Sequence, residues 1–406
     1  MYIERHIKKA FDEQKKWTGA VIVTGARQVG KTTLIENALP EIQKIALDDK
    51  MILKMAKQDT EKFIDINPPP LFIDEVQYAP DIFPYLKMSL DKSKKKGQYF
   101  LTGSQPFALM RNVSESLAGR AGILNMYGLS LREMNNEKWD APFIPTLNYL
   151  RERKKEHTEL NAKKVWEIIW RGSYPELYEK PDYPWELYYH NYLNTYLERD
   201  VRALAQVGDE LQFIQFMQLI AARTGQILNL NEVAGSVGIS APTAKKWLSI
   251  LKTSGIVYLL KPYFNNLGKR IIKSPKLYFS DTGLCAYLAK WNTPENLMAG
   301  AMSGAYFETF VINEIIKSYA NSGKEAQMFY FRDSNKAEID LLLYENGILY
   351  PIEIKETSEP KANMVKAFDL IDKMPTIKRG EGGVICLSKN LLPLKGNDNI
   401  IPLWAI

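Results

Sequence analysis

The chain has 406 residues, 46% of them hydrophobic and 25% charged, and carries a net charge of +6. At about 150 residues per domain, that length predicts two or three cores, and an average globular composition excludes wholesale disorder, collagen and a coiled-coil rod. The longest apolar runs, residues 20–23 and 256–260, fall far short of the roughly 20 residues that cross a bilayer. Residues 1–9 are charged and lack a signal peptide's apolar stretch, so the expected location is cytoplasmic, with no membrane partner. Two cysteines and three scattered histidines cannot build a disulfide framework or a Cys/His metal cluster.

Up to residue 130, short β-branched runs alternate with helical patterns, which predicts an α/β unit with a parallel sheet. The expected strands are residues 20–24, 43–47, 71–74, 98–102 and 123–127. Directly after the first comes Gly25-Ala26-Arg27-Gln28-Val29-Gly30-Lys31-Thr32, followed by Thr33 and a helical run. This is a complete phosphate-binding loop: its glycines let backbone N–H groups converge on phosphate oxygens at a helix N-terminus. Lys31 is expected to reach the β and γ phosphates of ATP, and Thr32 to place its hydroxyl on Mg²⁺. The third strand ends in Asp74-Glu75, where Asp74 suits the Mg²⁺ and Glu75 suits activation of the attacking water. Thr102-Gly103-Ser104-Gln105 ends the fourth strand and offers a hydroxyl to sense the γ phosphate, Ser104 being one candidate.

With these motifs, residues 1–135 resemble an AAA-type P-loop ATPase. The resemblance implies that Arg120, just ahead of the fifth strand, acts as an arginine finger on a neighbouring subunit, and hence that the chain forms a homo-oligomer. Tyr2 and Arg5 stand where they could flank the adenine.

Residues 136–226 begin polar and aperiodic, then turn helical and aromatic, and are expected to be a linker and helical segment. Residues 227–285 read as a basic winged helix. A short helix capped by Asn231 and a glycine turn lead to an N-cap at Ser240, with Pro242 in the first turn of the second helix. Two strands follow, joined by a turn carrying Lys269 and Arg270. Between residues 233 and 280 lie eight basic residues and no acidic one, so DNA or another nucleic acid is the expected partner, through Lys245, Lys246, Lys252, Lys269 and Arg270.

In residues 286–406, Asn346-Gly347 predicts a two-residue hairpin turn whose register pairs residues summing to 693, bringing Asp340 opposite Glu353 and Glu338 opposite Lys355. Opposed carboxylates with a lysine on the same face suit a divalent cation. Together with Glu308 upstream, Asp340 and Glu353-Ile-Lys355 resemble the restriction-endonuclease-like core, which implies a second Mg²⁺ or Mn²⁺ and cleavage of nucleic acid. The whole chain resembles a prokaryotic family that joins an AAA-type ATPase to a C-terminal domain of unknown function. Arg171-Gly172-Ser173-Tyr174-Pro175 and Tyr196-Leu197-Glu198-Arg199-Asp200 resemble that family's intervening segment. The alternative to a nuclease is an ATP-driven switch or scaffold that binds DNA or a protein and cuts nothing.

Overall fold

The computed structural model describes residues 2–104, 116–197, 210–263, 274–333, 337–374 and 377–406. Lys269, Arg270, Gln105, Glu198, Arg199 and Asp200 lie outside them. Helix α1 (Ile7–Trp17) precedes a five-stranded parallel sheet of β1 (Ala20–Thr24), β2 (Gln43–Ala46), β3 (Leu71–Asp74), β4 (Tyr99–Gly103) and β5 (Ala121–Asn125), in the order β2-β3-β4-β1-β5. Strand β4 is therefore inserted between the strand that enters the phosphate loop and the strand that ends in Asp74. The uniformly apolar strands β1, β3 and β4 are buried along their whole length, as strands covered on both faces must be. Edge strands β2 and β5 carry the exposed positions. Helix α2 (Lys31–Ala38) starts at the end of the loop.

The aromatic segment supplies α3 (Ala162–Arg171) and α4 (Trp185–Tyr196), where Trp185, Tyr188, Tyr189 and Tyr192 are buried in one stack of rings that includes Tyr174. Helix α5 (Leu230–Val237) is capped by Asn229, whose side chain accepts the Glu232 N–H, and not by Asn231 as the sequence suggested. It ends on Gly238 in the left-handed conformation, and Ser240 then caps α6 (Ala241–Thr253). Ala244, Trp247, Ile250 and Leu251 turn inward, while Lys245, Lys246, Ser249 and Lys252 face solvent. Strands β6 (Gln226–Ile227), β7 (Val257–Leu260) and β8 (Lys276–Phe279) form a small antiparallel sheet with β8 in the middle.

The C-terminal part hangs on α7 (Ser303–Asn321), a helix buried over most of its length. Its mixed sheet comprises β9 (Met328–Arg332), β10 (Glu338–Glu345), β11 (Ile348–Ile354), β12 (Lys378–Arg379), β13 (Gly382–Cys386), β14 (Leu392–Lys395) and β15 (Asp398–Pro402). The β10–β11 hairpin has the expected register, Leu341 opposite Ile352 and Glu345 opposite Ile348, with Asn346 and Gly347 both at positive φ. Helix α7 also ties this part to the first: Glu314 accepts the Leu131 N–H at 2.7 Å and Lys317 donates to the Leu129 carbonyl at 2.8 Å.

Candidate functional site

The phosphate loop is shaped by backbone that only particular residues tolerate. Gly30 has φ +95° and Gln28 φ +60°, and a Cβ on Gly25 would stand 2.0 Å from the Met126 carbonyl oxygen. Lys31, buried at the start of α2, donates to the Gly25 and Ala26 carbonyls at 3.0 and 2.7 Å. Thr32 donates to both oxygens of Asp74 at 3.1 and 3.0 Å, and Thr102 donates to Asp74 from β4. These hydroxyl and carboxylate oxygens are the hard donors Mg²⁺ takes, so Thr32 and Asp74 fit the ion the loop implies. The Lys44 ammonium lies 3.7 Å from Asp74 and 2.7 Å from Glu36.

Glu75 follows at φ +55° and belongs to a second group: Ser104 donates to its Oε2 at 3.2 Å, and Gln77 donates to both Glu75 and Ser104. The two hydroxyls at the end of β4 are thus divided, Thr102 facing Asp74 and Ser104 facing Glu75. Burial works to raise the Glu75 carboxyl, but the Lys31 ammonium, Gln77, Arg27 and Ser104 outweigh it and hold it below its ordinary range. Arg27 donates to the Tyr78 hydroxyl at 3.2 Å, and Gln28 accepts from the Tyr188 hydroxyl at 2.8 Å, so the aromatic segment touches the loop. Thr33 is exposed.

Arg5 and Arg120 lie to either side of this group. Arg5, only 4% exposed, binds Glu133 at 3.0 Å and the carbonyls of Val29, Tyr127 and Gly128. It braces the loop through the Val29 carbonyl. Arg120 sits where β5 begins, its carbonyl accepting from Gly19 and Ala20 at the start of β1, while the loop leaves from the other end of that strand. Its guanidinium pairs with Asp91 at 2.5 and 3.0 Å.

A cavity of about 590 Å³ runs from Gly25 and Ala26 to Gly255 at the end of α6, with Tyr258 and Phe329 on its walls. A Cβ on Gly255 would lie 3.5 Å from the Ala26 nitrogen, so the loop and the turn after the basic helix are in close approach.

In the C-terminal part, the carboxylates expected to hold a metal do gather, but around lysines. Lys355 lies 2.7 Å from Asp340 and 2.8 Å from Glu353. Lys276, arriving from β8, lies 3.1 Å from Glu308, 2.6 Å from Glu338 and 3.7 Å from Asp340. Lys276 and Arg332 take Glu338, the residue expected opposite Lys355. Burial, and then the Asp340 charge, push Glu308 up to about 7 and Glu353 up to about 9. Burial also works to raise Asp340, but Lys355 and Lys276 hold it low. Among the described residues, no three His, Cys, Asp or Glu side chains group as a metal ion requires, so the arrangement does not fit a second divalent cation.

Residues 18–135 match a family model described as an AAA domain, and residues 303–406 match one described as a domain of unknown function. The chain joins an AAA-type P-loop ATPase domain to a C-terminal domain of unknown function. A second domain of unknown function matches residues 162–295. Uncharacterized proteins of Mycobacterium bovis and Mycobacterium tuberculosis are each 28% identical over 366 residues, which cover 87% of this chain and 74% of theirs. Among solved structures, the RuvB Holliday junction branch migration motor of Thermotoga maritima overlaps 62% of this chain and 88% of its own at 18% identity and a TM-score of 0.31. A Signal Transduction ATPase with Numerous Domains protein from Pyrococcus horikoshii overlaps 79% of this chain and 47% of its own at 12% identity and a TM-score of 0.25. At such scores neither likeness carries weight. No helix among the described residues is long and apolar enough to cross a membrane.

Sequence reasoning missed several members of these sites. Within the AAA domain, Gln77 had no signal beyond lying two residues after Glu75, and Lys44 none at all. Lys276 was counted only as one of eight basic residues, yet its side chain is 4% exposed.

Proposed function

We propose that this chain is an ATP-hydrolysing switch whose nucleotide cycle, run with Mg²⁺ in the AAA domain, controls a nucleic-acid-binding winged helix. In this reading Lys31 and the loop amides hold the phosphates, and Thr32 and Asp74 hold the Mg²⁺. Glu75, kept ionised and oriented by Gln77 and Ser104, takes the proton of the attacking water. The observation that carries it is the division of labour under the loop: one carboxylate bonded to the Thr32 hydroxyl, the next one turned away and held by Ser104 and Gln77. Helices α5 and α6 with strands β7 and β8 form the winged helix, and Lys245, Lys246 and Lys252 on the exposed face of α6 meet phosphates of DNA or another nucleic acid. The turn that follows that helix comes close to the phosphate loop at Gly255 and Ala26, which gives the two a route for coupling. Subunits assemble so that Arg120, released from Asp91, reaches a neighbour's nucleotide.

The lysine-filled C-terminal cluster favours the non-cleaving form of this switch over a metal-dependent nuclease. One experiment tests both: ATP hydrolysis is followed with and without DNA while nicking is assayed in the same tube with Mg²⁺ or Mn²⁺. Hydrolysis is expected in the native chain, to vanish in Lys31→Ala and to slow with binding retained in Glu75→Gln. Unchanged turnover in both variants would refute the ATPase reading, and cutting abolished by Asp340→Ala would reinstate the nuclease.

A further inference from the structure

We infer that Lys276 is a built-in cation of the C-terminal core: its ammonium holds the place among Glu308, Glu338 and Asp340 that a divalent metal would need, and the cluster takes up metal only when that ammonium is removed. The inference is independent of the ATPase reading and concerns residues that no part of it uses.

The placement of Lys276 is fixed by its strand. It lies on β8, which pairs with β6 through Ile227 and with β7 through Leu260, so the backbone is held on both sides at this residue. The stem leaves that small sheet and crosses to the hairpin of a different sheet, passing the Tyr330 ring with the ammonium 5.8 Å from its centre. With the side chain 4% exposed, the ammonium is largely shut off from water. Its contacts are three carboxylates from two elements: Glu308 on α7, and Glu338 and Asp340 on β10.

Asp340 is enclosed from both sides. Its Oδ1 faces Lys276 at 3.7 Å, while its Oδ2 accepts from Lys355 at 2.7 Å and from the Ile354 N–H at 3.0 Å. A divalent cation binding Asp340 and Glu308 would need their oxygens at about 2.0–2.6 Å. The Lys276 ammonium, 3.1 Å from Glu308 and 3.7 Å from Asp340, already brings a positive charge to both carboxylates and repels a second cation drawn to the same pair. Lys276 and Lys355, with Arg332 3.8 Å from Glu338, offset much of the charge of the acids around them, which removes much of the field that would draw a metal in. A buried lysine paired to several acids is costly to strip of its partners, and this ties the winged segment's middle strand to the C-terminal sheet.

The test measures Mn²⁺ binding to the nucleotide-free full chain by electron paramagnetic resonance. Each protein is compared with its own Asp340→Asn partner, so that any ion held by Asp74 cancels. The native chain is expected to show no Asp340-dependent binding. Lys276→Met is expected to gain one Mn²⁺ per chain, at least tenfold tighter than in the native chain and lost when Asp340→Asn is added. Lys276→Arg, which keeps the charge, is expected to gain none. Lys276→Gln serves in the same role if Lys276→Met does not melt cooperatively. Asp340-dependent Mn²⁺ binding in the native chain overturns the inference whatever the variants do, and so does a folded Lys276→Met or Lys276→Gln that gains no site.

Discussion

Arg5 offers a sharp test of what holds the phosphate loop in shape. Its guanidinium joins Glu133 at 3.0 Å with side chains 3% and 0% exposed, and it is the donor to the Val29 carbonyl at 2.7 Å and the Tyr127 carbonyl at 2.7 Å. Arg5→Met keeps the volume and removes the charge. Glu133 would keep its bonds from His6 N–H, Ser130 N–H and the Ser130 hydroxyl, so it would not be bare, but its charge would be buried without a counter-ion. Breaking a buried pair by removing one partner costs about 3–5 kcal/mol, and the three surviving donors put this case toward the lower end. Urea unfolding followed by circular dichroism should therefore show a loss of about 3 kcal/mol in the transition that reports the AAA domain. Arg5→Met with Glu133→Gln removes the stranded charge and should recover a good part of that loss. A single variant that loses under about 1 kcal/mol, or a double variant no more stable than the single, would refute the assignment of Arg5 as a brace. Because Val29 belongs to the loop itself, the single variant should also bind an ATP analogue more weakly, which titration calorimetry reads directly.

Two further outcomes follow from the other sites. Glu353, pushed up to about 9 first by burial and then by Asp340, keeps its proton in the fold and sheds it near 4.5 when unfolded. The folded state therefore holds the extra proton between those values, so this contribution is full at low pH and is lost as pH rises through about 9. Urea midpoints for the native chain should fall between pH 5 and pH 9 by more than those of Glu353→Gln, and equal slopes would contradict the assignment. On α6, Lys245→Ala and Lys246→Ala should each reduce the slope of log affinity against log salt by about 1 if each meets one DNA phosphate, and an unchanged slope would remove them from the interface.

What could be read in the sequence was local. The loop, Asp74-Glu75 and the hairpin register each depend on residues within a few positions of one another, and backbone geometry admits few arrangements for them. The fifth strand shows where local reading slips. Its apolar run suggested residues 123–127, yet pairing starts at Ala121, because the Gly19 and Ala20 N–H groups bond the Arg120 carbonyl and β1 fixes the register. The cap of α5 slipped likewise: Asn229 and Asn231 have the same chemistry, and it is the extended backbone at Asn229 that marks it as the cap.

What could not be read was the pairing of buried charges across long separations. Arg5 and Glu133 are 128 residues apart, and Lys276 meets Glu308 across 32. Each of these residues, taken alone, has the composition of surface, and the prior for any single lysine or glutamate is exposure. A buried charge becomes tolerable only when its partner is buried with it, so the information lies in the pair and nowhere in either residue. That is why the acidic trio of the C-terminal core was legible as a cluster and misleading as a metal site. The turn placed Asp340, Glu353 and Lys355 together, but the second cation at Asp340, Lys276, comes from a strand of another sheet, and no local pattern points to it.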